Sequence, residues 1–334
     1  MDSATQFLLG ASISGATLGQ RLGARALLIG GVVATLPDLD SFLPSANVID
    51  HMTYHRGWSH SVLVHTAVAP VLAAAVAAVV RDAREHWKLL WLTVWLCLVT
   101  HAMLDSLTTY GTQILWPLEA GPPVALPSVF IIDPVYTSML LAGVLIAAFM
   151  RERRPAGLRA NRVLLLLSTL YLGIGMGAHL VVQARAAADP AFAGKTLHVQ
   201  PTPFNILFWQ VLGVDEKAYV TGLTPLAGCP ITQVEVHPRL AQAPRLGPSP
   251  SVRRLEWFTD GFYTYQDKGD ALAITDLRMG YPPGFVFSFD IGRRDGDGFE
   301  ATEPSRAPLI RPRRELVGEL LDKAARSLHD CLFD

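Results

Sequence analysis

The sequence predicts a helical integral-membrane bundle followed by a small β-rich extramembrane domain. Half of the 334 residues are hydrophobic and only 17% are charged, against about 25% charged in soluble globular chains, so much of the surface is not built for water. Four segments, 61–80, 87–107, 129–150 and 163–184, are apolar over the ~20 residues that a spanning helix needs. From about residue 189 onward proline, glycine and charge return and short alternating runs appear. The chain is therefore divided into a transmembrane helical domain, 1–188, and an extramembrane α+β domain, 189–334.

The first residues, Met1-Asp2-Ser3-Ala4-Thr5, lack the positive region of a secretory signal, so the apolar stretch behind them is expected to stay in the mature protein. Segments 7–19 and 26–36 are apolar but short for a full span, and Arg21 and Arg25 lie between them. The expected form is a hairpin of two short helices, packed closely through Gly10, Gly15, Gly30 and Gly31. One long tilted helix is the alternative. Of the four long segments, the first carries His65, the second His101 and Asp105, the third Asp133, and the fourth no charge. In the C-terminal domain, runs at 254–258, 262–266, 271–277 and 285–291 read as strands of an antiparallel meander, with turn signals at 267–270 and 281–284. A Pro/Arg-rich link at 304–314 precedes a final amphipathic helix at 315–332.

A net charge of −1 excludes a global basic field for nucleic acid, and no nucleic-acid partner is expected. Cys97, Cys229 and Cys331 are too few and too scattered for a disulfide scaffold or a cysteine-rich zinc module, and indicate no redox compartment. His-Glu-x-x-His, Gly-x-Ser-x-Gly, P-loop and Rossmann signatures are missing from the sequence.

Lysines and arginines of short loops mark the cytoplasmic side. Arg81, Arg84 and Lys88 follow the first long segment and Arg151, Arg153, Arg154, Arg159 and Arg162 precede the last, whereas 106–128 holds no Lys or Arg. That bias puts 37–60, 106–128 and the C-terminal domain together on the outer face. His60, His101, Asp105, Asp38, Asp40 and Asp133 then fall in one layer.

Three motifs in that layer suit a divalent ion. Asp38 and Asp40 alternate in Pro37-Asp38-Leu39-Asp40 and offer hard oxygen donors, or carboxylates that orient a ligating histidine; the competing reading is turn chemistry. His51, His55 and His60 crowd one short run, with His55 and His60 the candidate imidazole ligands and His51 a loop residue. His101 and Asp105, four apart, share a helix face, and an ionisable pair inside a span marks a functional site by default. Two further features carry less: Thr108 to Gln113 hold hydroxyls and amides suited to an oxyanion or to capping, and Asp133-Pro134 suits an outer carboxylate or a helix start. His65 and His179 read as packed helix residues, and His86, His198, His237 and His329 as solvent-facing.

These residues resemble the YdjM-like family of bacterial membrane-bound, predicted metal-dependent hydrolases. The likeness rests on Thr5 with Leu9-Gly10, Leu36-Pro37-Asp38-Leu39-Asp40, His55-Arg56-Gly57-Trp58-Ser59-His60-Ser61, His101 with Asp105, and Thr108-Thr109-Tyr110-Gly111-Thr112, over about residues 1–150. It implies a multi-pass protein of the bacterial inner membrane with Asp38, Asp40, His55, His60, His101 and Asp105 around a divalent metal, zinc first and manganese or magnesium as alternatives. Many members place His where this chain has Gln6. The expected activity is metal-assisted hydrolysis of an ester or phosphoester of a lipid or lipid-linked substrate, with Asp38, Asp40 and Arg56 in catalytic roles and Arg56 as anion partner. The competing expectation is a non-enzymatic membrane protein with a structural metal site and an outer domain that binds an envelope partner.

Overall fold

A computed structural model describes residues 1–118, 121–150, 154–308 and 313–333. The chain forms two compact units. The first holds Met1–Leu43, His55–Ala120 and Val124–Met176, and the second Pro44–Tyr54, Gly121–Pro123 and Gly177–Asp334.

The first unit is helical. Asp2 caps α1 (Ser3–Leu22) by accepting from the Thr5 amide, and Gly23, at φ 62°, turns the chain directly into α2 (Ala24–Thr35). The predicted hairpin is formed, with a first helix longer than 7–19 because the Asp2 cap starts it at Ser3 and the polar Thr5 and Gln6 are buried. A Cβ on Gly10 or on Gly30 would sit on the other's carbonyl oxygen, and one on Gly31 against the Phe7 ring; small residues set this crossing. A 3-10 turn, Pro37–Phe42, closes the hairpin and is followed by α3 (Val48–Tyr54) and a second 3-10 turn, Trp58–His60. Ser61 caps α4 (Val62–Val79), short α5 (Arg81–Arg84) links to α6 (Trp87–Ser106), and α7 (Pro134–Phe149) and α8 (Arg154–Ala188) as far as Met176 complete the helices of this part. The core gathers Leu9, Leu18, Val33, Leu90, Leu98 and Leu140. Outward positions such as Val71 on α4 and Leu166 and Ile174 on α8 are apolar and exposed, as lipid-facing helices require.

Among the described residues, three helices are long and apolar enough to cross a membrane: Val62–Val79, Trp87–Ser106 and Pro155–Ala188. The segment expected at 129–150 is shorter, because Asp133 accepts from the Tyr136 amide and starts α7 at Pro134, leaving 16 helical residues. At 35 residues, α8 reaches about 52 Å at 1.5 Å per residue, well beyond a ~30 Å hydrocarbon core.

The second unit is β-rich. One antiparallel sheet runs β1 (Thr196–Pro201), β2 (Phe208–Val214), β3 (Ala218–Pro225), β4 (Thr232–Pro238) in that order. After α9 (Pro250–Phe258) come β5 (Tyr263–Asp267), β6 (Ala271–Asp276), a two-stranded β7 (Gly280–Tyr281) and β8 (Gly284–Phe285), β9 (Ser288–Asp295) and β10 (Gly298–Arg306), and α10 (Arg313–Phe333) ends the chain. The second four-stranded sheet has the order β10-β9-β6-β5. Ala178, Val182 and Ala186 of α8 pack with Val199, Trp209 and Val211 on one side of the first sheet, and Leu212, Val214, Tyr219 and Phe262 gather separately.

Several expectations change here. Residues 254–258 are helical, not a strand, because Ser249 caps and Pro250 opens a helix that buries Val252, Leu255 and Phe258 at threefold spacing. Cys229 and Cys331 form a disulfide across 102 residues, with Cα atoms 5.6 Å apart; spacing along the chain could not indicate a pair joined only by the docking of α10. Residues 304–306 of the expected link belong to β10, and 309–312 lie outside the described residues.

His198 is buried on β1 rather than facing solvent. Burial, reinforced by the Arg278 charge, lowers its pKa to about 3, against about 6.5 in an unfolded chain. The unfolded state therefore binds the proton first, so the contribution is complete above pH 6.5 and is lost as pH falls. At pH 5 the domain is expected to be ~2 kcal/mol less stable than at neutrality. Thermal unfolding between pH 7 and 5 should show this slope in the unaltered protein and a flatter one in His198→Gln; equal slopes would refute it.

Candidate metal centre

Among the described residues, Asp38, His60, His101 and Asp105 bring their donor atoms within 4.8 Å of one another. They arrive from three elements. Asp38 sits in the turn after α2, which points it back over the hairpin. His60 ends the turn before α4. His101 and Asp105 occupy successive turns of α6, on the face that packs against α1 and α2. His60, His101 and Asp105 are fully buried and Asp38 is partly open.

Hydrogen bonds assign the imidazole tautomers. His101 Nδ1 lies 2.7 Å from the Ala34 carbonyl oxygen, which only accepts, so the proton is on Nδ1 and Nε2 carries a lone pair. His60 Nδ1 lies 3.0 Å from Ser59 Oγ, whose own hydroxyl donates to Asp40, so His60 Nδ1 is also the donor. The two Nε2 atoms face each other at 3.0 Å, so a proton on His60 Nε2 and a cation are alternatives at the same place. Asp38 Oδ1 is 3.5 Å from each, and Asp105 Oδ2 is 3.2 Å from His60 Nε2 and 3.5 Å from His101 Nε2.

Lone pairs of two imidazoles and two carboxylates thus converge, which suits a cation. Donors placed 2.0–2.1 Å from a tetrahedral ion stand about 3.3 Å apart, and the five separations above, 3.0 to 3.5 Å, bracket that edge. Asp105 Oδ2 is buried and accepts no well-formed hydrogen bond, leaving its valence to charge. The residues present fit a divalent metal.

Charge also holds the four side chains together. Burial pushes the Asp38 carboxyl up, but bonds with His101 and His60 outweigh it and hold it well below the usual carboxylate range. Burial likewise lowers His60, but Asp105 and Asp38 outweigh it and hold the imidazole above its ordinary value. Protons and metal therefore compete for the same lone pairs.

A supporting layer surrounds the four. Asp40 accepts from His55 Nδ1 at 2.7 Å, from the Arg56 amide at 3.1 Å and from Ser59, and so orients His60 through Ser59. Arg56, buried and at φ 61°, places Nε 3.2 Å from Asp105 Oδ2 and Nη1 3.1 Å from Thr108 Oγ1, with its guanidinium 4.9 Å from the Tyr110 ring centre. Gln6 donates to Asp105 Oδ1 at 3.0 Å, and the Met1 amino group pairs with the same oxygen. A cavity of about 370 Å³ adjoins the cluster, lined by Asp38, His55 and Arg56 together with apolar Leu39, Phe42 and Ile131.

Of the six residues expected as ligands, Asp38, His60, His101 and Asp105 converge, while Asp40 and His55 pair with each other outside the four. Sequence reasoning gave Ser59 no role, and Gln6, expected either to leave the site one donor short or to lend its oxygen, instead donates to Asp105. The Thr108–Gln113 run braces Arg56: Thr108 accepts from its guanidinium, and the Gln113 amide donates to its carbonyl at 3.0 Å. Asp133 caps α7 and accepts from Tyr171 at 2.8 Å, away from the cluster. His65 Nε2 bonds the Ser59 carbonyl at 2.7 Å, a packed role.

Comparison with known proteins matches residues 1–180 to the family described as YdjM inner membrane protein. The chain is 30% identical over 150 residues to the uncharacterized protein YfhP of Bacillus subtilis strain 168, covering 42% of this chain and 45% of that one. It is 35% identical over 107 residues to the inner membrane protein YbcI of Escherichia coli K12, covering 31% of this chain and 60% of that one. The match thus spans roughly half the length of these relatives. No solved structure matches. The family match covers more than half of the chain and includes all four converging residues, and the protein belongs to the YdjM inner membrane protein family.

Proposed function

We propose that this protein is a membrane-bound metal-dependent hydrolase acting on an ester or phosphoester of a lipid or lipid-linked substrate. The observation that carries the reading is the convergence of two imidazole Nε2 atoms and two carboxylates beside a cavity whose lining holds both charged and apolar side chains. A bound divalent ion, zinc first, supplies a water of lowered pKa and a Lewis acid.

The chain's own residues do the rest. Arg56 presents fixed positive charge at the cavity wall, where an anionic headgroup is held. His55, oriented through Nδ1 by Asp40, keeps Nε2 to give or take a proton at the leaving oxygen. Phe42, 83% exposed, and Leu39, 53% exposed, form an apolar lip suited to acyl chains. Basic residues concentrated at Arg81, Arg84, Lys88, Arg159 and Arg162 support a cytoplasmic position for those loops, and the Cys229–Cys331 bridge supports an oxidising compartment for the C-terminal domain.

One observation favours a structural centre instead: four protein donors close a tetrahedral site, whereas catalytic sites keep a position open. In the catalytic reading Asp38, the partly open member at the cavity, is the donor that yields that position.

Purified protein in detergent, offered phospholipids and generic phosphoesters, is expected to hydrolyse at least one with full loss on chelation and recovery on zinc addition. Turnover unaffected by chelator rejects the metal mechanism, and bound ion without turnover on any substrate favours the structural centre. Thiol labelling of Gly121→Cys and Arg84→Cys in cells should require opposite sides; labelling from one side would reject the orientation.

A further inference from the structure

Residues 44–54 interrupt the helical unit yet fold with the C-terminal one. Their helix α3 packs on α9 and β10. Arg254 of α9 grips its last turn: Nε donates to Thr53 Oγ1 at 2.9 Å, Nη2 to the Thr53 carbonyl at 3.1 Å, and the guanidinium stacks 3.6 Å from the Tyr54 ring centre. A two-pronged bond combined with stacking is a geometry that only arginine supplies. At the other end of α3, Asn47 bonds Ser251 Oγ at 2.9 Å.

The peptide bond after Tyr54 leads straight to His55, and no linker separates the gripped residues from those at the metal centre. That next stretch is under constraint. Arg56 holds a left-handed φ of 61°, a strained conformation for a non-glycine residue that persists only where surroundings over-determine it. Downstream it is held by Asp40, Asp105 and Thr108. Upstream, the hold on the chain is the grip on Thr53 and Tyr54.

We propose that Arg254 is a positioning residue for the metal centre, by which the C-terminal domain sets the conformation of the His55–His60 segment. The functional meaning rests on the metal-centre reading above, and the domain thereby acquires a role in the chemistry of the helical unit. The clamp fixes where His55 and Arg56 meet Asp40, and through Asp40 and Ser59 the orientation of His60.

The full chain in detergent, carrying Arg254→Ala, Arg254→Lys or Ser251→Ala, tests this by hydrogen exchange of peptides over 55–61 and by zinc affinity under chelator competition. Arg254→Ala should speed exchange in 55–61 and weaken zinc about 10- to 100-fold, the range for residues that orient ligands. Arg254→Lys, which keeps the stacked charge but loses the fork, should fall between. Ser251→Ala, which cuts the Asn47–Ser251 bond and leaves the Asn47 cap of α3 in place, should leave both readouts near those of the unaltered protein. If Arg254→Ala leaves them unchanged, or if Ser251→Ala matches it, α3 and α9 only stabilise their own domain and the proposal is overturned. Should Arg254→Ala fail to fold, Arg254→Lys decides by the same readouts. Absence of bound zinc in the unaltered protein would count against the metal centre, while exchange in 55–61 would still decide the clamp.

Discussion

His101→Ala should abolish binding of a divalent ion, with zinc affinity in detergent falling by well over a hundredfold. The basis is geometric. His101 Nε2 is 3.0 Å from His60 Nε2 and 3.5 Å from both Asp38 Oδ1 and Asp105 Oδ2, so it shares an edge with each other donor. Residues that only orient ligands are worth about 10–100-fold, and a ligand exceeds them. His60→Ala should match His101→Ala, Asp40→Asn should fall in the 10–100-fold range because it acts through Ser59, and His55→Ala should cost least. The Ala34 carbonyl also loses its partner in His101→Ala, a further ~1–3 kcal/mol of destabilisation, so His101→Gln serves as the companion variant. Metal content by elemental analysis, with chelator competition, reads the ranking; unchanged content in both His60→Ala and His101→Ala removes the ligand assignment.

Gly30→Leu is expected to be as damaging, from a position that touches no ligand. Gly10 and Gly30 cross with backbone against backbone, and a side chain at Gly30 meets the Gly10 carbonyl and the Ser14 side chain. Neither obstacle is the far end of a flexible chain, so the helices must part. Overpacking costs ~1–3 kcal/mol and occasionally more, and here it also moves the site. The carbonyl that fixes the His101 tautomer belongs to Ala34, one turn beyond Gly30, and Asp38 follows directly after α2. Detergent thermostability and zinc content should both drop. Gly31→Ala, whose obstacle is the Phe7 ring, should be milder and improve with Phe7→Leu. If Gly30→Leu keeps native stability and metal content, the tight crossing is not what holds the centre.

The signals that were legible lay in residue type and local period. Long apolar stretches announced helices at 62–79, 87–106 and in α8, and the glycine spacing announced the hairpin. The four-residue step from His101 to Asp105 fixes a shared face on any α-helix. The third long segment was overcounted because apolar residues before Asp133 look the same whether or not they are helical. Strands β1 to β3 passed unrecognised because both faces are buried along most of their length, which erases the alternation by which a half-buried strand is known. Strand β4 does alternate and was still overlooked.

At the centre, composition identified which residues hold the chemistry but not which of them meet. His55 and His60 are equal as sequence. Between them Arg56 takes a left-handed φ and 58–60 wind as a 3-10 turn, which sends one imidazole to Asp40 and the other to His101. Side-chain direction outside regular helix depends on backbone torsions held by distant partners: Asp40, Asp105, Thr108 and, by the proposal above, Arg254. The sequence by itself therefore determined a membrane helical protein with an acid and imidazole layer, because hydropathy and i, i+4 spacing are local properties. Tertiary structure alone decided the four-residue cluster, the Asp40–His55 pair and the Cys229–Cys331 bridge, because each joins side chains whose meeting depends on how separate elements pack.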